Sequence, residues 1–464
     1  MINERVVEVD EPADRTALQY LRASGLTGTK EGCASGDCGA CTVMVGELKD
    51  GKVQFKTVNS CIVPIGQLAG MHVVTVEGLA DQSGLHPVQD EMVACHGSQC
   101  GFCTPGFVMS LSAMLENGDP AKLETVQQGI SGNLCRCTGY RPIVQAGMNA
   151  LGRDYESRLQ NPVFFEDTES LSPVNVQQPL NETALREAMI QNPRASLIAG
   201  GTDLMLEVTQ RYQPYERLID VSRVTELSSI TETQDAYCIG GSVTYTELES
   251  FFATRSQQFV SLLQRLGSRQ IRNCGTIGGN LANGSPIADM PPVLICWDAT
   301  IELCSSLGQK RGVGINEFYR GYRQTVLQDD EYIAGIRIPK KSLKSFTRFY
   351  KSSKRIEDDI SSVMGAFSFQ ADDSKIIAAR IAFGGMAATP VCLPGIEDLL
   401  VGKTVNERLL TDTSEALAET MSPLTDVRAS AEYRTAMACS MLVRALNEFS
   451  GVSKPLVTAL ELHA

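Results

Sequence analysis

Nine of the fifteen cysteines fall within the first 137 residues, and the other six are scattered singly over the rest of the 464-residue chain. Thiols crowded in this way either cross-link or hold metal. The opening Met1-Ile2-Asn3-Glu4-Arg5 lacks the basic-then-apolar layout of a secretory leader, and no run of 18 or more apolar residues occurs. The expectation is a cytoplasmic protein without a transmembrane helix, in a reducing compartment where disulfides rarely persist. Metal or redox chemistry is then the use left for the cysteines. The formal net charge of −13 repels phosphate backbones and argues against a nucleic-acid partner.

The thiols form two constellations. Cys33, Cys38 and Cys41 follow a C-x4-C-x2-C spacing with Cys61 downstream, the plant-type [2Fe–2S] pattern. Three thiolates on one tight loop can wrap a small cluster if glycines permit the turns, and Gly32, Gly36 and Gly39 supply them. Zinc knuckles pair two C-x2-C units instead, which disfavours zinc here. The second constellation is Cys100-x2-Cys103 with Cys135-x-Cys137, each pair just ahead of a proline-started helix. Backbone N–H groups at helix starts can bond sulfurs and raise a cluster potential. That spacing alone also suits a four-cysteine zinc site. Cys95 repeats the plant-type interval with Cys100 and Cys103, but it would be a fifth thiol at the end of a helical stretch and reads as a bystander.

Along the chain, residues 1–80 read as a small sheet with one helix. Val6–Val9, Cys41–Val45, Val53–Val58 and Val73–Val76 are β-rich, and Thr16–Ala23 has helical spacing. Residues 81–152 read as helical, with Thr104 as a candidate N-cap and prolines 87, 105 and 142 at helix starts. Residues 153–174 read as a linker, 175–343 as an α/β mixture, and 344–464 as strands followed by a helix from about Ala429. Leu197–Leu204 is an apolar strand running into Gly200-Gly201, and Ile271–Asn280 ends in Gly278-Gly279. Both could let backbone amides approach a pyrophosphate, though glycine pairs also serve plain turns. No G-x-G-x-x-G or P-loop occurs. The lone Trp297 and the six scattered cysteines read as core.

In this order the motifs resemble the xanthine dehydrogenase family, more narrowly the bacterial small subunit in which iron–sulfur and FAD domains share one chain. The resemblance runs nearly end to end. It includes Gly28–Cys33, Gly36–Cys41, Gln99–Gly106, Gly132–Tyr140, Asn283–Asp289, Glu357–Ile360 and Phe383–Ala387. It implies a multidomain α+β chain with a β-grasp [2Fe–2S] domain, a four-helix [2Fe–2S] domain, a vanillyl-alcohol-oxidase-type FAD domain and an α/β C-terminal domain. Under it Cys33, Cys38, Cys41 and Cys61 hold one cluster, and Cys100, Cys103, Cys135 and Cys137 the other. FAD would be held by Leu197, Ile198, Ala199, Gly200, Gly201, Thr202, Asp203 and Leu204, by Thr276, Ile277, Gly278, Gly279 and Asn280, and by Asp289, Ile333 and Lys351. Leu266 belongs to the same set, but stands where some members carry an aromatic.

Gln99 and Cys137 match positions that approach the pterin of a partner's molybdenum cofactor. The acidic Glu357-Asp358-Asp359, by itself a solvated loop, matches one that influences nicotinamide access, and Lys351 by itself reads as a solvated lysine. The family usually has another strand before the segment matching Ile2–Val9, so an upstream start or an incomplete first hairpin is expected. The implied function is electron transfer from a larger molybdenum-cofactor subunit, in an (αβ)2 assembly, through both clusters to FAD and on to NAD+ in xanthine or hypoxanthine oxidation. No residue of this chain is implied as a catalytic acid, base or nucleophile. An equivalent subunit of an aldehyde or N-heterocycle hydroxylase using oxygen, and a non-enzymatic iron–sulfur carrier or redox sensor, are the alternatives.

Overall fold

A computed structural model describes residues 1–49, 51–82, 84–161 and 175–451. Most of the expected linker, and the last residues of the expected C-terminal segment, lie outside the described residues.

The first unit opens with α1 (Ala17–Ala23), started by a reciprocal cap in which Thr16 Oγ1 accepts from Gln19 N–H and Gln19 Oε1 accepts from Thr16 N–H. Strands β1 (Thr42–Lys49) and β2 (Lys52–Asn59) form an antiparallel hairpin, and β3 (His72–Val74) pairs on the other side of β1. Val43, Val45 and Val58 face α1 through Ala17 and Leu21, while Met44, Val53 and Phe55 face the next unit. The β-period alternation thus serves two cores at once. The expected strand at Val6–Val9 is not formed. Its backbone runs free of ladder pairing, and only Ile2 makes a parallel bridge to Val73.

The second unit is four helices: α2 (Pro87–Ala94), α3 (Thr104–Glu116), α4 (Leu123–Gly129) and α5 (Arg141–Leu151). α3 is its spine, buried along Phe107, Val108, Leu111 and Met114. Pro87 stands first in α2 as expected. Pro105 and Pro142 stand second, and the cap of α3 is Cys103 rather than Thr104. Thr104 turns its hydroxyl to Ser98 instead.

In the third unit, β4 (Val176–Gln177), α6 (Glu182–Gln191), β5 (Ser196–Ile198), α7 (Leu204–Arg211) and β6 (Leu218–Asp220) make a parallel sheet of order β4-β6-β5. There follow β7 (Ile230–Glu232), β8 (Ala236–Gly240), α8 (Tyr245–Phe252), α9 (Gln257–Leu263), α10 (Arg269–Arg272), α11 (Ile277–Ala282), α12 (Met290–Cys296), β9 (Thr300–Ser305), β10 (Lys310–Gly314) and α13 (Ile315–Phe318). After the small hairpin β11 (Tyr319–Gly321) and β12 (Gln324–Thr325), β13 (Glu331–Pro339) completes an antiparallel sheet of order β10-β9-β13-β8-β7. Trp297 is fully buried there, stacked on Phe252 and edge-on to Phe259.

The last unit is the sheet β14 (Phe346–Ser352), β15 (Val363–Asp372), β16 (Lys375–Gly384) and β17 (Val391–Cys392), covered by α14 (Pro394–Leu400), α15 (Glu407–Thr420) and α16 (Ala431–Phe449). Among the described residues no helix is long and apolar enough to cross a membrane.

His72, fully buried in β3, carries a pH consequence. Burial first, and the nearby N-terminal ammonium second, push its pKa from the usual 6.5 down to about 4. A depressed base binds its proton more readily unfolded than folded, so its share of stability is whole above about 6.5 and is lost as pH falls through about 4. A His72→Leu variant should flatten the pH dependence of the first unit's melting between these values. An unchanged slope would show that other groups govern acid unfolding.

Candidate functional site

The structure brings each cysteine foursome together. Cys41 and Cys61 sulfurs lie 3.3 Å apart in the core, and the thiols of Cys38 and Cys61 both bond Cys33. The Ser35 and Cys38 backbone N–H groups donate to Cys33 Sγ, each at 3.4 Å, and the Ala40 N–H faces Cys38 Sγ. Those thiols, then the Ser35 side chain and N–H, hold Cys33 well below the usual thiol range. Gly32 is required: a Cβ there would sit 2.7 Å from Cys38 Sγ.

In the second foursome Cys100 bonds Cys137 and Cys103 bonds Cys135, while the Phe102 N–H bonds Cys100 and the Thr138 N–H bonds Cys135 at 3.3 Å. Burial, then the Cys135 thiol, push Cys103 up to about 12. Among the described residues no three His, Cys, Asp or Glu side chains stand around a single-ion position; the sulfurs are gathered with amide donors aimed at them. That donor set fits thiolate-held iron–sulfur clusters, whose charge N–H donors stabilise. Cys95 stands apart from both groups, bonded to Glu91 and Asn149.

The two foursomes adjoin. Leu134 N–H, next to Cys135, donates to the Cys38 carbonyl at 3.0 Å. Gly39, at φ +68°, leaves no room for a side chain, since a Cβ would meet the Gly132 carbonyl at 2.1 Å.

On the other side the first foursome abuts both glycine segments. A Cβ on Gly201 would be 3.2 Å from the Ile62 carbonyl, and one on Gly36 would be 3.2 Å from Ile271 Cδ1. Cys41, Cys61, Ile62, Ile198 and Met205 share one apolar cluster, with Leu204 and Ile271 packed against it. Gln210 of α7 donates to the Cys33 and Ala34 carbonyls.

The glycine segments themselves are clasped. β5 delivers Gly200 against the 274–275 backbone, where a Cβ would lie 1.9 Å from the Cys274 carbonyl. Thr276 caps α11 through a bond from Gly279 N–H. Gly278 packs on Gly241, and Gly241 on the Ile333 carbonyl, which draws Ile333 into the site. Thr202 and Asp203 lead into α7, whose Met205 N–H returns to the Gly201 carbonyl.

Across from them Lys351 Nζ donates to Asp289 Oδ2 at 2.7 Å, and Ser361 donates to the other oxygen. Lys351 is therefore a buried ion-paired lysine rather than the solvated one its local sequence suggests. Leu266 packs at the edge of the large core. Asn280 Oδ1 is buried without a hydrogen-bond partner, a place for a polar ligand group, so the residues here fit a bound dinucleotide. A crevice of about 1260 Å³ between the first three units touches these segments at Ala199, Gly200, Cys274 and Thr276 but is not lined by Gly201, Gly279, Asp289 or Lys351.

The acidic loop differs from the solvated one read in the sequence. Burial, then the Asp37 carboxylate, push Asp358 up to about 7, and burial raises Glu357. Arg265 holds the loop by donating to the Lys351 and Ile356 carbonyls, and Arg272, 1% exposed, lies beneath. Of the scattered cysteines, Cys296 and Cys304 are buried as expected, while Cys238, Cys274, Cys392 and Cys439 are half-buried.

Four family signatures tile most of the chain: "2Fe-2S iron-sulfur cluster binding domain" over residues 1–66, "[2Fe-2S] binding domain" over 75–148, "FAD binding domain in molybdopterin dehydrogenase" over 170–341, and "CO dehydrogenase flavoprotein C-terminal domain" over 348–449. Xanthine dehydrogenase of Drosophila subobscura is 31% identical over 95% of this chain and 38% of its own, and that of Emericella nidulans 33% identical over 84% and 34%. The chain thus spans little more than a third of the length of these curated relatives. Among solved structures, a chain of carbon monoxide dehydrogenase from Hydrogenophaga pseudoflava aligns with a TM-score of 0.55 and 28% identity, covering 59% of this chain and 96% of its own. One of quinoline 2-oxidoreductase from Pseudomonas putida 86 gives 0.56 and 25%, covering 60% and 97%.

The clasp at Gly200 is testable. Gly200→Ala should cost about 1–3 kcal/mol by overpacking and lower flavin content. Gly395→Ala, in α14 with open space around it, should leave both unchanged. Equal flavin content in the two variants would show that the clasp does not shape the site.

Proposed function

The chain belongs to the iron–sulfur and FAD proteins of the molybdenum hydroxylase family, and from that premise we propose that it is the electron-transfer part of a xanthine dehydrogenase. In this reading a larger molybdenum-cofactor subunit oxidises the purine, and an (αβ)2 complex hands the electrons to NAD+ at this chain. When bound, two [2Fe–2S] clusters supply one-electron steps and FAD a terminus that can deliver a hydride. Cys100, Cys103, Cys135 and Cys137 would hold the outer cluster and Cys33, Cys38, Cys41 and Cys61 the inner one. The two glycine segments, with Asn280, Asp289, Ile333 and Lys351, would hold FAD.

The observation that carries the reading is spatial order. The second foursome adjoins the first through Leu134 and Cys38, and the first adjoins both glycine segments through Ile62, Gly36 and Gly201. Exposure follows the same order. Cys100 and Cys137 are exposed, whereas Cys41 and Cys61 are buried. Gln99 and the apolar Phe102, Leu134 and Tyr140 are exposed around the outer foursome, a surface suited to a partner that delivers electrons. The half-buried Glu357–Asp359 loop would border the nicotinamide approach.

Xanthine is favoured as the partner's substrate because the xanthine dehydrogenases match over most of this chain at 31–33% identity. The likeness to quinoline 2-oxidoreductase keeps an N-heterocycle hydroxylase as the second reading.

The native complex, kept free of oxygen and given xanthine and NAD+, should form NADH while the flavin and clusters bleach and recover. It should contain about four iron atoms per chain, two for each [2Fe–2S] cluster. Bleaching by quinoline or an aldehyde but not by xanthine would select the second reading. Full iron with no flavin would point to a carrier or sensor. Cys137→Ser should abolish one iron–sulfur electron paramagnetic resonance signal and leave the other, and loss of neither would remove Cys137 from the ligand set.

A further inference from the structure

We propose that Gln270, a residue of the flavin unit, is a positioning residue that orients the Gly39–Ala40 peptide and so sets the reduction potential at the inner thiol foursome. This rests on the iron–sulfur reading above.

A trans peptide is planar, with its carbonyl and N–H on opposite sides. The Gly39–Ala40 unit turns its N–H to the Cys38 sulfur. Its carbonyl is therefore the handle by which that N–H is aimed. Asn133 Nδ2 donates to it at 3.0 Å and Thr42 Oγ1 at 2.6 Å. Asn133 in turn accepts from Ser110 Oγ at 2.6 Å and from Gln270 Nε2 at 3.2 Å, and the same Gln270 nitrogen stands 3.2 Å from Thr42 Oγ1 and 3.3 Å from Ser110 Oγ.

The network fixes its own amide orientations. Asn133 must present its nitrogen to a carbonyl, so its oxygen faces Gln270, which must answer with its nitrogen. All four side chains are 1–2% exposed, so water cannot substitute for a lost partner. Gln270 Oε1 is left buried without a partner. A buried polar atom left unmet carries the full penalty of its lost hydration. Such a cost, borne on an element that joins the flavin unit to the loops of both foursomes, marks a site kept for position. An N–H directed at a ligand sulfur stabilises the more negative, reduced cluster and raises its potential.

The test uses the native holoenzyme complex. Gln270→Met keeps the volume but donates nothing. Asn133→Asp still accepts from Gln270 but cannot donate to Gly39. Both are checked for wild-type iron, flavin and melting. Redox titration followed by electron paramagnetic resonance then reads each cluster separately, with Cys38→Ser assigning the inner signal. Both variants should lower the inner cluster's reduction constant by roughly three- to tenfold, tenfold being about 59 mV for one electron. The outer cluster should stay put. No shift in a fully loaded Gln270→Met, a shift with Asn133→Asp alone, or an equal shift of both clusters would overturn the proposal. If Gln270→Met does not load, Gln270→Asn, which keeps the amide one methylene short, takes its place under the same criteria. A wild-type complex without two [2Fe–2S] signals would instead defeat the underlying reading.

Discussion

The Gly39 carbonyl is where three parts of the molecule meet. It accepts from Thr42 N–H, Thr42 Oγ1 and Asn133 Nδ2, and it sits so close to its neighbours that a Cβ on Gly106 would lie 2.2 Å away. Gly39 and Gly106 are thus glycines for one reason, that backbones approach within a distance no side chain allows, while a Cβ on Gly132 would instead meet the Gln270 and Ser268 side chains. Buried polar knots of this kind are all-or-nothing. Fully met they fix one arrangement, and partly met they cost more than an apolar core would. The two cysteine loops therefore cannot slide past each other without breaking several bonds together, and α10 of the flavin unit is tied to the same point through Gln270.

The parts legible in the sequence were those whose signal is local. Cysteine spacing brought out the Cys33, Cys38 and Cys41 trio and the Cys100/Cys103 and Cys135/Cys137 pairs because ligands on one loop must be close in sequence. The helix at Thr16–Ala23 showed itself through helical spacing, and the glycine segments through turns that need particular residues at fixed offsets. The strand expected at Val6–Val9 failed for the complementary reason. Its β-rich composition is real, but a strand needs a neighbour with free backbone groups, and here only Ile2 reaches β3.

What stayed hidden depends on partners distant in the chain. Lys351 and Asp289 are 62 residues apart, and nothing around either announces the other. The acidic run Glu357–Asp359 reads as solvated because charge runs usually are. It is half-buried because Arg265, just past α9, and Arg272, within the second glycine segment, supply the opposing charge. Gln270 gave no signal at all, being one polar residue in a short helix whose role appears only once three units have closed around it.

Burial also separates the two foursomes in a way that matters physically. Water stabilises added negative charge at an exposed site, whereas a buried one must rely on fixed dipoles. The outer thiols, with Cys100 and Cys137 exposed, can draw on solvent or on a docked surface. The inner thiols, with Cys41 and Cys61 in the core, have only the amides of their own loop and the orientation those amides are given. Control of the inner site must therefore come through the peptide planes of residues 33–41, and these are held from outside the loop: by Leu134 at Cys38, by Asn133 at Gly39 and by Gln210 at Cys33 and Ala34. The buried site is the one on which both neighbouring units have a grip.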